Sequence, residues 1–397
     1  MPAPEHRHDS VLSSAQTVIM AVACAIALAA LYYNQPILPL IAKTFGTDDY
    51  KTSQVVMFSQ FGYAAGLFLF VPIGDRMDRK WLIVALLSAN TVALAACAVA
   101  PSFSLLCLAT FIAGLTTVTP QIIIPTVAAL ATAKDRGRVV GILLSGMSAG
   151  LLLGRTLSGF VADMGGWRAV YGLAIALNVP LVAIVWHMLP KTAPTTVVSY
   201  PRLLKSMWHL LLEQPVLRAA CATGFLTFGA FSALWATLAL LLAQPPYSFN
   251  VNTIGLFGLI GIVSILTTPL IGRAADLLGG RILIAVGALI LIAAFSLISQ
   301  SERVIWFPIA GIVLIDLGYR AIVVSNQIRI YPLNPASPSR LNTLFMTSVF
   351  LGGAAGSIIG GVASHWSWSG VALAGAGLGF LGLIVHLLTL RGFKAKT

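Results

Sequence analysis

Asp316, Arg320 and Arg155 are charged residues set inside long apolar runs. A charge at the centre of a bilayer costs about 2.5–3.5 kcal/mol on insertion scales, so such positions usually carry a task. Asp316 falls about a dozen residues into its run, roughly 18 Å along a helix. Arg320 follows one turn later on the same helical face. The chemistry on offer is proton transfer. Burial favours the neutral carboxyl and a nearby arginine favours the carboxylate, so a pair that opens and closes would bind and release a proton. A standing internal pair that mutes both charges is the structural alternative, and direct binding of a charged substrate is a third. Arg155 could pair with Asp316 or meet an anionic ligand. These three are the expected proton-coupling residues.

Uncharged polar and aromatic side chains inside other runs sketch a cavity. Tyr32, Tyr33, Asn34 and Gln35 cluster in the first run, Gln60 and Tyr63 lie in the second, and Gln121 stands between Pro120 and Pro125 in the fourth. Phe228, Phe231 and Trp235 are three to four residues apart and so share a helical face. Asn326 and Gln327 follow in the tenth run. With Arg155, these are the candidate substrate-binding residues; ordinary packing is the competing reading for Phe228 and Phe231. No phosphate-binding glycine loop, metal-spaced cluster or nucleophile–histidine arrangement is present in the sequence. The expectation is therefore not an enzyme, with no metal site and no cofactor, and a proton gradient as the energy source. Cys24, Cys97, Cys107 and Cys221 all fall inside apolar runs and read as small buried hydrophobes.

The elements that must position these residues follow from composition. The 397 residues are 58% hydrophobic and only 9% charged, against about 25% charged in a soluble domain. Runs of about 20 apolar residues without strand alternation favour spanning helices over a barrel. Twelve are read, at about 14–41, 53–74, 81–100, 105–131, 139–162, 168–189, 215–243, 252–275, 282–300, 304–330, 341–364 and 370–390. The chain divides into an N-terminal tail (1–13), a six-helix half (14–189), a polar linker with a short amphipathic helix (190–214), a second six-helix half (215–390) and a C-terminal tail (391–397).

Charge sets the expected topology. Of 24 Lys and Arg, all but six lie in the tails or the even-numbered loops; Lys43, Lys51, Arg168 and Arg303 are on odd loops, and Arg155 and Arg320 are inside runs. Positive residues gather on the cytoplasmic side, so both termini are expected there, in a multi-pass protein of the bacterial inner membrane. The net charge of +12 is thus topological, and nucleic acid is not an expected partner. The expected partners are the lipid bilayer and a small-molecule substrate, and the expected state is a monomer.

One even-numbered loop is especially dense: Asp75, Arg76, Asp78, Arg79 and Lys80 fall within six positions. It recurs around Gly272, Asp276, Gly279 and Arg281. Arg138 and Arg340, Gly150 and Gly352, Gly154 and Gly356, and Gly159 and Gly361 recur at one constant offset. An even-span repeat implies two parallel halves related by a pseudo-twofold axis along the membrane normal. The glycines read as close helix packing.

Together these features resemble the major facilitator superfamily. The first loop is similar to that superfamily's cytoplasmic signature at Asp75, Arg76, Arg79 and Lys80, with Val71 and Asp78 standing where its glycines are expected. Gly146, Gly150, Gly154 and Gly159 resemble the glycine motif of the superfamily's antiporters. The stretch from Tyr33 to Pro39 is similar to the proline motif of the twelve-span drug–proton antiporter branch. That branch carries an arginine where this chain has Thr110. The resemblance implies an all-α fold of twelve transmembrane helices in two six-helix halves. It implies a secondary transporter working by alternating access, in first place a multidrug-type exporter of small, partly apolar molecules by proton antiport. A proton symporter or facilitator for an anionic metabolite is the alternative. It also implies gating roles for Asp75, Arg76, Arg79, Arg138, Asp276, Arg281 and Arg340. Asp75 is expected to latch the two halves near Arg340, at the N-terminus of the eleventh span.

Overall fold

The computed structural model describes residues 13–132, 134–192, 198–302, 304–334 and 338–394. Most of the N-terminal tail, the middle of the linker, Arg303 and the last three residues lie outside them.

The first apolar run does not make one helix. α1 (Ser14–Ala29) is capped by Ser13, whose side chain accepts from the Gln16 amide. It unwinds after Ala29, and α2 (Leu38–Phe45) resumes the crossing. Pro36 supplies the reason: it lacks an N–H and crowds the carbonyl four residues back. The chain between carries three-residue turns, with the Tyr32 amide donating to Ala29 O and the Gln35 amide to Tyr32 O. Carbonyls released by the break find side chains instead, as Ser158 Oγ donates to Tyr33 O at 2.5 Å.

α3 (Asp49–Ile73) and α4 (Arg79–Val99) are the second and third crossings. The fourth is split into α5 (Phe103–Thr116) and α6 (Thr119–Leu130), with Pro120 opening the second piece. α7 (Arg136–Met188) is 53 residues long, roughly 80 Å if straight and twice what one crossing needs. It holds two crossings joined at Gly166, whose φ of 75° suits a residue without a Cβ. The gap expected between the fifth and sixth runs is therefore a turn at Gly166.

The linker helix α8 (Tyr200–Glu213) buries Leu203 and Met207 and exposes Trp208, the expected amphipathic pattern. The second half begins with α9 (Pro215–Ala243), most of whose second half is buried. Its next crossing combines α10 (Val251–Leu256), a tighter turn at Phe257–Gly261, and α11 (Ile262–Leu278). α12 (Gly280–Ile298), α13 (Trp306–Ile330), α14 (Pro338–Ala363) and α15 (Ser367–Lys394) complete the half.

The halves repeat one packing scheme. α1 lies on the first part of α7, and α9 lies on α14. Added Cβ atoms at Gly146 and Gly150 would strike the backbone of Ala21 and Ala25 on α1, and at Gly352 and Gly356 that of Phe225 and Gly229 on α9. The repeated glycines thus serve close helix approach, as expected. Two seams join the halves, α3 against α14 and the first part of α7 against α10. Both run from mid-depth to the face opposite the 74–79 loop. There Gln244 Nε2 donates to Asp49 Oδ2 at 3.2 Å, and Thr156 Oγ1 to Gly255 O at 3.2 Å.

Candidate functional site

The breaks in the helices coincide with the charges. Arg155 projects from α7 toward the unwound part of the first crossing. It is only 1% exposed, and its Nε donates to Gln35 Oε1 at 2.7 Å. Its guanidinium carbon lies 3.6 Å from the Trp235 ring centre and 4.9 Å from that of Tyr32. An arginine between two aromatic faces keeps its charge stabilised without a carboxylate. Gly258, in the tight turn after α10, faces this side chain: a Cβ there would sit 2.7 Å from Arg155 Cβ.

One turn along, Gly261 faces the other charge. A Cβ on Gly261 would lie 3.2 Å from Asp316 Oδ2. Asp316 is buried within α13. Arg155 and Asp316, from opposite halves, therefore abut adjacent turns of one glycine-lined segment. Arg320 is half-buried.

Beside the charges lies a continuous aromatic face. Phe228 and Phe231 stack with ring centres 5.4 Å apart, and Tyr319 is 5.1 Å from each. Trp235 extends the face beyond Phe231, and Phe350 joins it to Tyr63 at 4.4 Å. Gln121 Nε2 donates to the Tyr63 hydroxyl at 3.4 Å. Gln60 Nε2 donates to Ser232 Oγ at 2.7 Å, which pairs in turn with Ser357 Oγ at 3.1 Å.

The structure thus brings together Tyr32, Gln35, Arg155, Trp235, Phe231, Phe228 and Tyr63, with Asp316, Gln60 and Gln121 around them. Other candidates stand apart. Tyr33 packs in a separate apolar cluster with Val55, Ala109 and Ala162. Asn34 and Asn326 are buried. Gln327 donates to Asn342 Oδ1 at 3.2 Å, tying the end of α13 to α14. Sequence reasoning passes over Tyr319, Phe350, Ser232, Gly258 and Gly261. Tyr319 had a signal, since it stands three residues after Asp316; the glycines had a three-residue spacing.

The loop residues sit at the far end of the helices from this layer. Asp75 pairs with Arg79 at 3.0 Å inside its own loop, while Arg79 Nε donates to Gly74 O. Asp78 Oδ1 accepts from the backbone of Lys80 and of Thr192, joining the loop to the end of α7's second crossing. Arg340 donates to Ser206 Oγ of the linker helix at 3.3 Å. Arg138 lines a cavity of about 110 Å³ with Asp135 and Ser14. Arg76, Asp276 and Arg281 are exposed.

Comparison with known proteins fits this architecture. The profile described as "Major Facilitator Superfamily" matches residues 20–331. The chain belongs to the major facilitator superfamily. It is 37% identical to the uncharacterized transporter YgaY of Escherichia coli O157:H7 over 397 residues, covering 100% of this chain and 99% of the relative. It is 33% identical to the "Probable transporter SCO4007" of Streptomyces coelicolor, over 91% of this chain and 84% of that one. Among solved structures, it superposes on a bacterial homolog of the human lysosomal transporter Spinster with a TM-score of 0.77. That match has 14% identity and covers 95% of this chain and 97% of that one. A multi-pass membrane transporter with the superfamily fold, rather than an enzyme, is the shared conclusion.

Proposed function

We propose that this transporter is proton-coupled, moves small, partly apolar molecules by alternating access, and uses Asp316 as its proton carrier. The observation that carries the reading is one buried carboxylate at mid-membrane depth, against the glycine turn where the halves meet. A group there can face first one side and then the other as the halves rock. Arg155 and Arg320 tune its proton affinity, and the aromatic face from Trp235 to Tyr63 offers the apolar surface. We assign the 74–79 loop to the cytoplasm of a bacterial inner membrane, as the positive charge distribution supports.

The sign of coupling follows from the substrate's charge. A cationic substrate competes with the proton on Asp316, which gives antiport and hence efflux under an inward proton gradient. An anion is best bound when Asp316 is neutral, so it travels with the proton.

The test is reconstitution in liposomes with an imposed pH gradient and a substrate panel. Wild-type protein should drive accumulation with a fixed sign. Asp316→Asn should lose gradient drive and keep exchange of labelled for unlabelled substrate. Gradient-driven accumulation by Asp316→Asn at the wild-type level would remove the assignment.

A further inference from the structure

Two hydrogen-bond donors in the Arg155 layer have no acceptor among the described residues: Arg155 Nη2 and Trp235 Nε1. Their side chains are 1% and 4% exposed. A buried donor without an acceptor costs about 1–3 kcal/mol, more when charged. Both residues line one small cavity of about 10 Å³, bounded also by Gln35, Pro36, Ile254 and Gly258. That is about the room one oxygen atom needs. Gln35 Oε1 accepts from Arg155 Nε, and neither Arg155 Nη2 nor Trp235 Nε1 reaches it. The cavity therefore presents donors and apolar walls, and one donor is a cation.

The geometry points to an oxyanion subsite at Arg155 and Trp235 that takes a carboxylate borne by an apolar molecule. One carboxylate oxygen occupies the cavity and accepts from both donors, a charge-assisted arrangement shorter and stronger than a neutral one. The apolar body lies along Trp235, Phe231 and Tyr319, whose rings continue from the subsite. The inference rests on the proton-coupled reading above and names the substrate class for the same site. It also fixes the sign of coupling. An ionised Asp316 opposes a second anion near Arg155, and a protonated one does not, so anion and proton move in one direction.

The test uses matched pairs that differ only in charge: acetate, hexanoate and phenylacetate against their amides, bound to the purified protein in nanodiscs. At least one acid should bind tenfold or more tightly than its amide. Arg155→Gln should bring the pair within twofold. Trp235→Phe keeps the ring and removes the N–H, so it should weaken the acid several-fold and leave the amide unchanged; it carries the test if Arg155→Gln fails to fold. Equal binding of every acid and amide, or full acid preference retained in both variants, would mean the donors hold a trapped water only and would overturn the subsite. Gradient-driven transport without acid preference overturns the subsite alone. Acid preference without gradient drive overturns the proton-carrier reading alone.

Discussion

Gly159 and Gly361 are repeat equivalents, yet they do different work in the two seams that join the halves. At Gly159 an added Cβ would lie 2.6 Å from Val251 O and 2.9 Å from Gly255 Cα, both backbone. At Gly361 it would strike Ser53 Oγ, which can rotate away, and would then meet Ser53 Cβ at 2.9 Å and the Tyr50 backbone at 3.2 Å. The α7–α10 seam is thus backbone on backbone, with Arg155 on it and Asp316 one turn away. The α3–α14 seam is met first by side chains, among them Ser53, Gln60, Tyr63 and Phe350, with backbone farther off. Approach of backbones fixes two charges from opposite halves against one segment, so a small separation there changes what Asp316 faces. On the proposed alternating access, the other seam gives way first through its side chains.

Five single substitutions test that contrast, and the largest effect is expected at the charge. Asp316→Asn should abolish gradient-driven accumulation, a loss of at least tenfold, while exchange persists. Gly159→Leu should come next: overpacking of this kind costs about 1–3 kcal/mol, or about five- to 140-fold in the balance of conformations at 1.4 kcal/mol per tenfold. The expected direction is opening of the face opposite the 74–79 loop, read as faster labelling of a cysteine placed near Thr156. The matching Gly361→Leu should shift that balance markedly less; equal shifts would break the contrast. Gln60→Ala removes the 2.7 Å bond to Ser232. Hydrogen bonds between helices in membranes average about 0.6 kcal/mol, so the shift should be about threefold, and a double variant with Ser232→Ala should add little. Asp75→Asn should do least. It pairs with Arg79 at i,i+4 in its own loop, half-buried, and helix pairs at that spacing are worth about 0.3–0.5 kcal/mol. Transport rate should change about twofold with substrate preference unaltered, and an altered preference would place the loop nearer the substrate than the structure does.

Much of the fold could be read from residue order. Twelve apolar runs, a doubled loop and glycines at a constant offset are one-dimensional signals, and each maps onto helices and packing in the structure. The breaks were harder. The first run was expected to be one helix despite Pro36, because hydropathy is blind to a missing N–H. The fourth run gave the same difficulty at Pro120, and the tight turn at Phe257–Gly261 has only its glycine spacing to announce it.

The site was legible in its charges and less so in its neighbours. Arg155, Asp316 and the Phe228–Trp235 stripe stand out because charge and periodicity can be counted. Tyr33 looked equivalent to Tyr32 by proximity in sequence. The unwound chain turns the two apart, so Tyr32 meets Arg155 and Tyr33 meets the apolar cluster. Gly258 and Gly261 matter only for what lies opposite them, and that information belongs to the other helices.

The central claim is that Asp316 itself takes up and gives back a proton within the membrane, and this can be measured without knowing the substrate. Infrared difference spectra of the protein in membranes, stepped through pH, report the carbonyl stretch of a protonated buried carboxyl. The account predicts one such band that titrates in the wild type and is missing from Asp316→Asn. A band that persists unchanged in Asp316→Asn would contradict it and move the proton to another group.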